Sequence, residues 1–351
     1  MNVVVSIQHP AWAHQFRYII KELQAKGHQV TVLAVDKDKD LELLDAFGIP
    51  YVKMANSTGK NLWEKGWLFF KLCITFTHQC RKAKADVLIG RASPMMAVAA
   101  FLLGKPHVIF EDTEVSTISL AACKLFSRCI MTPEKFQTDL GKKHVRLPLY
   151  KELFYLHRKE FTPDRSILER HGIDPDAPFA VVRLISWNAI HDVGMHGLTD
   201  QQKIDFIRSL AEMLPVYLSS EANTPEELKP YLIRLPYEDI HHLLYYATVV
   251  LSEGASTASE AAILGTHAFY LNEIASGTTE EQEQRFHLLR VLHDPKTRYE
   301  TALRETRELL KTPDLWKKGK EKREALLSEM PDPNDVFLEK MEEVLQDRKR
   351  A

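Results

Sequence analysis

Thr248-Val249-Val250-Leu251-Ser252-Glu253-Gly254-Ala255-Ser256-Thr257-Ala258-Ser259-Glu260-Ala261-Ala262-Ile263-Leu264-Gly265 is the stretch on which the fold turns. An apolar run, Thr248–Leu251, meets a turn of small residues, and a second apolar run follows at Ala268–Leu271. The pattern predicts strand, turn, short helix and strand. Such a turn aims the unpaired N–H groups of a helix N-terminus at whatever lies beyond it. It also sets Glu260 within the first helical turn. A phosphate on the amides of Gly254, Ala255, Ser256 and Thr257, with a ribose diol on Glu260, is one chemically sensible reading. Thr257-x-x-Glu260 as a capping box, with Glu260 bonded to the N-cap backbone, is the other.

Working outward, the same alternation fills the chain. Strands are expected at Val3–Ile7, Gln29–Val35, Tyr51–Met54, Asp86–Ile89, His107–Phe110 and Ile130–Thr132. Helices are expected at Trp12–Lys26, around Asp40–Phe47, around Leu62–Lys82 and at Ala92–Leu103. The rhythm pauses over Pro148–Pro178 and restarts with strands at Phe179–Ile185 and Val216–Ser219 and helices at Thr199–Leu214 and Pro236–Ala247. From Glu280 onward the sequence reads as mostly helical, broken at Pro295, Pro313 and Pro331–Pro333. Apolar strands alternating with amphipathic helices predict parallel strands joined by right-handed crossovers. The expectation is an α/β protein of two Rossmann-like, doubly wound parallel-sheet domains facing a cleft. They span 1–160 and 161–325, with a C-terminal helix in 326–351 packing back on the first. Ligands of such sheets bind outside the carboxyl ends of the strands.

The bulk numbers narrow the function. With 351 residues there is room for two cores, and 46 basic against 48 acidic side chains give a net charge of -2, which argues against a nucleic-acid partner. Cys73, Cys80, Cys123 and Cys129 have neither C-x-x-C nor zinc spacing, so a reduced, cytoplasmic setting is expected, without metal or cofactor. The start, Met1-Asn2-Val3-Val4-Val5, carries no basic region and long apolar stretch of the signal-peptide kind. No stretch supplies the roughly 20 apolar residues of a membrane span. Gly66–Cys80, rich in Trp, Phe, Leu and Ile, reads as a buried helix, with peripheral contact to a membrane as the alternative.

Every unusual motif falls at a strand end. Gln8-His9-Pro10-Ala11-Trp12-Ala13-His14 has no glycine, which excludes a G-x-G-x-x-G dinucleotide loop despite Asp36 after the second strand. His9 and His14 are candidate acid–base or oxyanion groups, or else packing and capping residues. Arg91, between Gly90 and Pro94, sits where a helix dipole disfavours a cation unless it serves an anion or carboxylate. Glu111, Asp112 and Glu114 crowd one strand end, and crowding raises carboxylate pKa values in a way that suits general acid or base work. Arg183, in an apolar strand, requires an internal carboxylate or a ligand phosphate. His191, with Asp192 and His196, matches no helix face or zinc signature, and His191 is taken as a nucleotide-sugar contact rather than a metal ligand.

Ser252–Leu271 resembles the donor-site motif of GT-B glycosyltransferases, most closely that of the lipid II-forming N-acetylglucosaminyltransferases. The resemblance implies that Gly254, Ala255, Ser256 and Thr257 bind a diphosphate and that Glu260 holds a uridine ribose. The whole chain resembles the family catalogued as domain of unknown function 354. His9-Pro10, Phe110 to Glu114, Tyr150-Lys151-Glu152, Arg183, His191-Asp192, His241-His242 and Glu260-Ala261-Ala262 carry that resemblance. It implies a GT-B-like fold and no particular reaction. The chain is also similar to non-hydrolysing UDP-N-acetylglucosamine 2-epimerases. Arg91 stands where their motif has an aspartate, while Glu111 matches their glutamate. The glycine-rich first loop of the lipid II enzymes is missing here.

The resulting expectation is a metal-independent glycosyltransferase-like enzyme. Arg183, His191, Gly254–Thr257 and Glu260 hold a nucleotide sugar, UDP-linked by preference. His9, His14, Arg91, Glu111, Asp112 and Glu114 serve the chemistry toward an acceptor, a glycan or a lipid-linked molecule. A sugar-nucleotide 2-epimerase or hydrolase is the first alternative, a non-catalytic nucleotide-sugar binder the second.

Overall fold

The computed structural model describes residues 1–35, 39–55, 62–186, 197–221, 224–274 and 277–350. The chain divides into two compact units, Met1–Glu160 with Pro331–Ala351, and Phe161–Met330.

The first unit follows the alternation legible in the sequence. Its elements run β1 (Asn2–Ile7), α1 (Pro10–Ala25), β2 (Gln29–Val35), α2 (Asp40–Ala46), β3 (Tyr51–Met54), α3 (Leu62–Lys82), β4 (Val87–Gly90), α4 (Pro94–Leu103), β5 (His107–Phe110), α5 (Thr117–Phe126), β6 (Cys129–Pro133), β7 (His144–Leu147) and α6 (Leu153–Leu156). All seven strands are parallel, in the order β3-β2-β1-β4-β5-β6-β7. The direction of winding reverses between β1 and β4, where α1 and α4 both begin. On one face Val4, Leu33, Val35 and Leu88 pack against Leu72, Phe76, Met96 and Ala100 of α3 and α4. On the other, α1 packs with α2, α6 and a helix from far along the chain, α14 (Pro333–Arg350). Phe337 of α14 lies 5.8 Å from the Phe16 ring and 6.2 Å from that of Phe154. Asn334 Nδ2 donates to the Phe154 carbonyl at 3.0 Å, and Lys159 pairs with Asp335 at 2.7 Å.

The second unit runs α7 (Arg165–Arg170), β8 (Ala180–Leu184), α8 (Asp200–Ala211), β9 (Val216–Ser220), α9 (Ile240–Tyr246), β10 (Val249–Ser252), α10 (Ala255–Ile263), β11 (His267–Tyr270), α11 (Gly277–Phe286), β12 (Leu289–Val291), α12 (Arg298–Leu309) and α13 (Leu315–Glu329). Its five parallel strands are ordered β12-β11-β10-β8-β9, so the reversal lies between β8 and β10. Val182, Leu184, Leu251 and Phe269 bury one face under Phe206, Ile207 and Leu210 of α8 and Ala302 of α12. Helix α10 packs on the opposite side among α9, α11 and α13.

Three readings of the sequence change. The strands β7 and β12 and the helix α5 were not anticipated. His144-Val145-Arg146-Leu147 and Leu289-Arg290-Val291 are short edge strands whose polar residues mask any apolar run. The Pro236–Ala247 segment is one 3₁₀ turn, Tyr237–Asp239, followed by the shorter α9. Finally, α3 is not a buried helix. Leu72, Phe76 and Cys80 enter the core, yet Trp63 remains 91% exposed and Trp67 69%.

Helix α13 crosses the end of α10 at a point only glycine permits. Gly265 closes α10 with φ +77°, and a Cβ there meets the Gly319 carbonyl oxygen at 2.7 Å, while a Cβ on Gly319 meets the Gly265 oxygen at 2.2 Å. Next to this crossing, Lys320 Nζ donates to the Tyr245 carbonyl at 2.7 Å and the Leu264 carbonyl at 2.9 Å. One amino group, its pKa held well below the usual lysine range by burial, thereby satisfies orphan carbonyls at the ends of two helices. Gly319→Ala improves helix propensity by about 1 kcal/mol, but the clash is with backbone, which cannot rotate away, and a net loss of about 2 kcal/mol is expected in urea denaturation. A variant as stable as the parent contradicts the close crossing.

His267 begins β11 beside that contact, and burial first, then the Lys322 and Lys320 charges, bring its pKa down to about 4. An unfolded histidine titrates near 6.5, so between those values the unfolded state binds more protons and stability rises with pH. The contribution is complete above about pH 6.5 and is lost as pH falls toward 4, with an upper bound of about 3 kcal/mol. Replacing His267 by glutamine is expected to flatten the stability–pH curve in that window; an unchanged slope contradicts the assignment.

Candidate functional site

Each unit gathers its polar residues where its winding reverses. In the second unit the strand β10 ends at Ser252, and the next residue, Glu253, is buried. Its carboxylate accepts from the Ile185 N–H at 2.9 Å and from the Tyr299 hydroxyl at 2.5 Å, joining the end of β8 to α12. Burial first, then the Glu253 charge, pushes the Tyr299 hydroxyl far above its usual range, so Tyr299 stays a proton donor. The Glu253 carbonyl accepts from Asn272 Nδ2 at 2.9 Å, which ties in the end of β11. Glu253 was quoted in the sequence but given no role; a glutamate flanked by serine and glycine looks like a solvated turn until its neighbours are known.

Gly254 is the N-cap of α10 (φ −96°, ψ 126°), with no side-chain capping bond. The first turn is therefore Ala255-Ser256-Thr257, which follows the carboxyl end of β10 directly and carries the amides of the helix N-terminus. The capping-box reading fails on this geometry. Thr257 is three residues inside the N-cap, so it cannot cap, and Glu260 is in the second turn rather than the first. What Glu260 meets is His241 of α9, with Nε2 3.2 Å from Glu260 Oε1. His241 is 2% exposed and the Glu260 side chain 13%. His242 faces elsewhere, accepting from the Asp164 N–H at 3.0 Å and stacking 5.0 Å from Phe161.

Arg183 lies beside Ser252 in register. Its guanidinium donates to Ser219 Oγ at 2.7 Å and pairs with Glu221, just past β9. Arg183 is thus only partly buried, and its partner is a carboxylate of this chain that is itself half-exposed. His191, Asp192 and His196 lie outside the described residues, as does Asp36. Among the described residues no group of three or more His, Cys, Asp or Glu side chains is arranged to hold a metal ion.

In the first unit Gln8 Nε2 donates to Ser6 Oγ and Ser93 Oγ, both at 2.7 Å, bridging the ends of β1 and β4. His9 is exposed and caps α1, its Nδ1 accepting from the Ala11 N–H at 3.2 Å. That bond fixes the tautomer with its proton on Nε2 when the ring is neutral. His14 is a different matter. It is 7% exposed, in contact with the rings of Phe47 (5.3 Å) and Tyr155 (5.4 Å), a packing position inside α1 rather than a group at the strand ends.

Arg91 is 4% exposed and pairs with both Glu111 and Asp112, donating also to Thr113 Oγ1 at 2.9 Å. Glu111 is further held by three backbone donors, Ala92 N–H at 3.0 Å, Asp112 N–H at 3.1 Å and Thr113 N–H at 3.0 Å. Lys151 pairs with Asp112 at 2.9 Å and Glu152 at 3.3 Å. The sequence placed Tyr150-Lys151-Glu152 only by resemblance; their distance along the chain from β5 hid the contact. Crowding therefore does not raise the Asp112 carboxyl pKa as expected. Burial alone favours the neutral acid, but the Arg91 charge, then that of Lys151, outweighs it and holds the Asp112 carboxyl well below the carboxylate range. Asp112 is thus a fixed anion at neutral pH, unfit as a general acid. Glu114 is apart, accepting from the Gln137 N–H at 3.1 Å.

No protein-family model matches the chain, and no curated protein matches it. Solved structures do match its fold. The UDP-GlcNAc 2-epimerase of Neisseria meningitidis, bound to UDP-GlcNAc, has a TM-score of 0.70 at 13% identity, with 98% of this chain and 100% of that one covered. Spinosyn forosaminyltransferase matches at 0.68 and 15% identity, covering 99% of each chain. MurG from Acinetobacter baumannii matches at 0.58 and 16% identity, covering 97% of this chain and 100% of that one. At these identities the likeness establishes the fold, two parallel α/β sheets of the GT-B kind.

Replacing Arg91 by methionine leaves Glu111 buried without its cation and Asp112 with Lys151 alone, and a loss of about 3–5 kcal/mol is expected in urea denaturation. A loss below about 1 kcal/mol means the cluster is solvated and its charges are screened.

Proposed function

We propose that the chain is an enzyme acting on a nucleotide-activated sugar, a GT-B-type glycosyltransferase with a UDP-sugar donor. The observation that carries this reading is the start of α10. The amides of small residues in its first turn stand at the carboxyl end of a parallel sheet at its point of reversal, with a carboxylate one turn further along. The amides of Ala255, Ser256 and Thr257 suit a diphosphate, since a helix N-terminus favours an anion and the small side chains let it approach. Glu260, oriented by His241, suits the paired hydroxyls of a ribose. Arg183, in register with Ser252 and held by Glu221, is a strand-end cation suited to supply charge to a departing diphosphate. In the first unit the Ala11 N–H engages His9 Nδ1 and leaves its Nε2–H as a donor, and the Arg91–Glu111–Asp112–Lys151 cluster is fixed charge at the strand ends. Solved structures of this fold include proteins named as UDP-GlcNAc 2-epimerases, a forosaminyltransferase and MurG, which supports sugar-nucleotide chemistry without choosing a reaction.

The epimerase reading has its own support in the recurrence of UDP-GlcNAc 2-epimerases among those structures and in the buried carboxylates after β5. Incubation with UDP-GlcNAc and no acceptor separates the two. An epimerised or hydrolysed sugar favours this second reading, and unchanged donor favours transfer.

Calorimetric titration with UDP, GDP, CDP, ADP and dTDP tests the nucleotide site directly. One nucleotide, UDP, is expected to bind, and Glu260→Ala to weaken it by about 10- to 100-fold, the loss of hydrogen bonds to a charged group. Because Glu260 also pairs with the buried His241, some fall in melting temperature is expected, and the affinity is read on the folded variant. Absence of binding by every diphosphate at millimolar concentration refutes the donor site.

A further inference from the structure

A surface helix is ordinarily polar on its outward side. Helix α3 is not. Trp63, Trp67, Phe70 and Ile74 recur at i, i+4, i+7 and i+11, opposite the stripe of Leu72, Phe76 and Cys80 that enters the core, and are 91%, 69%, 55% and 54% exposed. The apolar surface continues across the neighbouring helices, since α3 packs on α4 and α4 on α5. Phe101 and Leu102 end α4 at 63% and 59% exposure, and Ile118 and Leu125 of α5 stand at 81% and 68%. With aromatic side chains carrying about 150–250 Å² each, these eight residues expose roughly 1,000 Å² of apolar surface. The largest such patch on an ordinary monomer is about 300–600 Å².

Charge decides what covers it. Lys71, Arg81, Lys82, Lys124 and Arg128 are exposed in and around this layer, against the exposed acid Glu64 and the half-exposed Asp86, which Lys105 pairs at 3.7 Å. A second copy joined about a two-fold axis sets the patch against itself and brings these cations together. An anionic surface complements them. Tryptophans beside a basic rim on an otherwise apolar face are the composition of an element lying in a bilayer interface. No described helix is long and apolar enough to cross a membrane, so the contact is peripheral.

We propose that the α3–α4–α5 face of the first unit docks on a bilayer surface rich in anionic lipid. Docking is separate from nucleotide binding, which involves none of these residues, so either can fail alone.

The test uses the full chain in sedimentation with vesicles of phosphatidylcholine, alone or mixed with phosphatidylglycerol. Binding is expected to the mixed vesicles and to weaken with added salt. The double variant Trp67→Glu/Phe70→Glu is expected to bind about tenfold or more weakly, and Lys71→Gln/Arg81→Gln about tenfold more weakly, with nucleotide titration unchanged in both. Should a variant fail to fold, quenching of the parent's tryptophan emission by brominated phosphatidylglycerol reports insertion without any substitution. Absence of both sedimentation and quenching overturns the proposal. So does vesicle binding that neither variant weakens, or a dimer in solution that Trp67→Glu dissociates, which assigns the face to a second copy.

Discussion

The same device ties neighbouring strand ends together in both sheets, a glutamate placed one residue beyond a strand and turned inward. Glu111 follows β5 and takes the Ala92 N–H from the loop after β4; Glu253 follows β10 and takes the Ile185 N–H after β8. Past the end of a strand the first loop amides lose the ladder partners that a continuing strand would supply. A buried carboxylate is tolerable there because each oxygen finds donors, and removing it leaves amide and hydroxyl groups stranded at once. Other features at those ends follow from this support. Gly254 begins α10 from a fixed position, and Arg91 is drawn inward as the counter-ion of Glu111.

Local pattern carried most of the fold. Unbroken apolar runs such as Val3–Ile7 can only be strands covered on both faces, and the helix at Leu62–Lys82 has the residue limits that its periodicity predicts. Edge strands escaped because a strand paired on one side needs less apolar surface, and Arg290 or Arg146 at such positions reads as loop. The candidate residues were legible as strand-end residues, since strand ends follow from the alternation. Their partners were not. Lys151 reaches Asp112, Tyr299 reaches Glu253 and His241 reaches Glu260 across chain separations that no local window spans. The capping-box motif misled for a related reason. Several residues in Gly254–Thr257 can start a helix, and the strand's exit direction, which tertiary packing sets, selected the first of them.

The two strand-end clusters differ in electrical character. Around Glu253 the buried charge is neutralised by neutral donors, an amide and a phenol, leaving the region outside α10 to the dipole of the helix. Around Glu111 three carboxylates, Glu111, Asp112 and Glu152, meet two cations, Arg91 and Lys151, with few neutral intermediaries. A preorganised array of this second kind can respond to charge developing on a substrate without rearranging, which is how electrostatic stabilisation gains over water.

Helix α14 has a consequence for how the protein is made. Phe337 belongs between Phe16 and Phe154, yet the whole second unit is translated between them. A ribosome adding about 5–20 residues per second takes on the order of ten seconds or more to reach it. Throughout that interval the nascent first unit carries an aromatic gap on α1 and α6, a surface for chaperones to occupy. The chain is thus synthesised first-unit-first but cannot mature in that order.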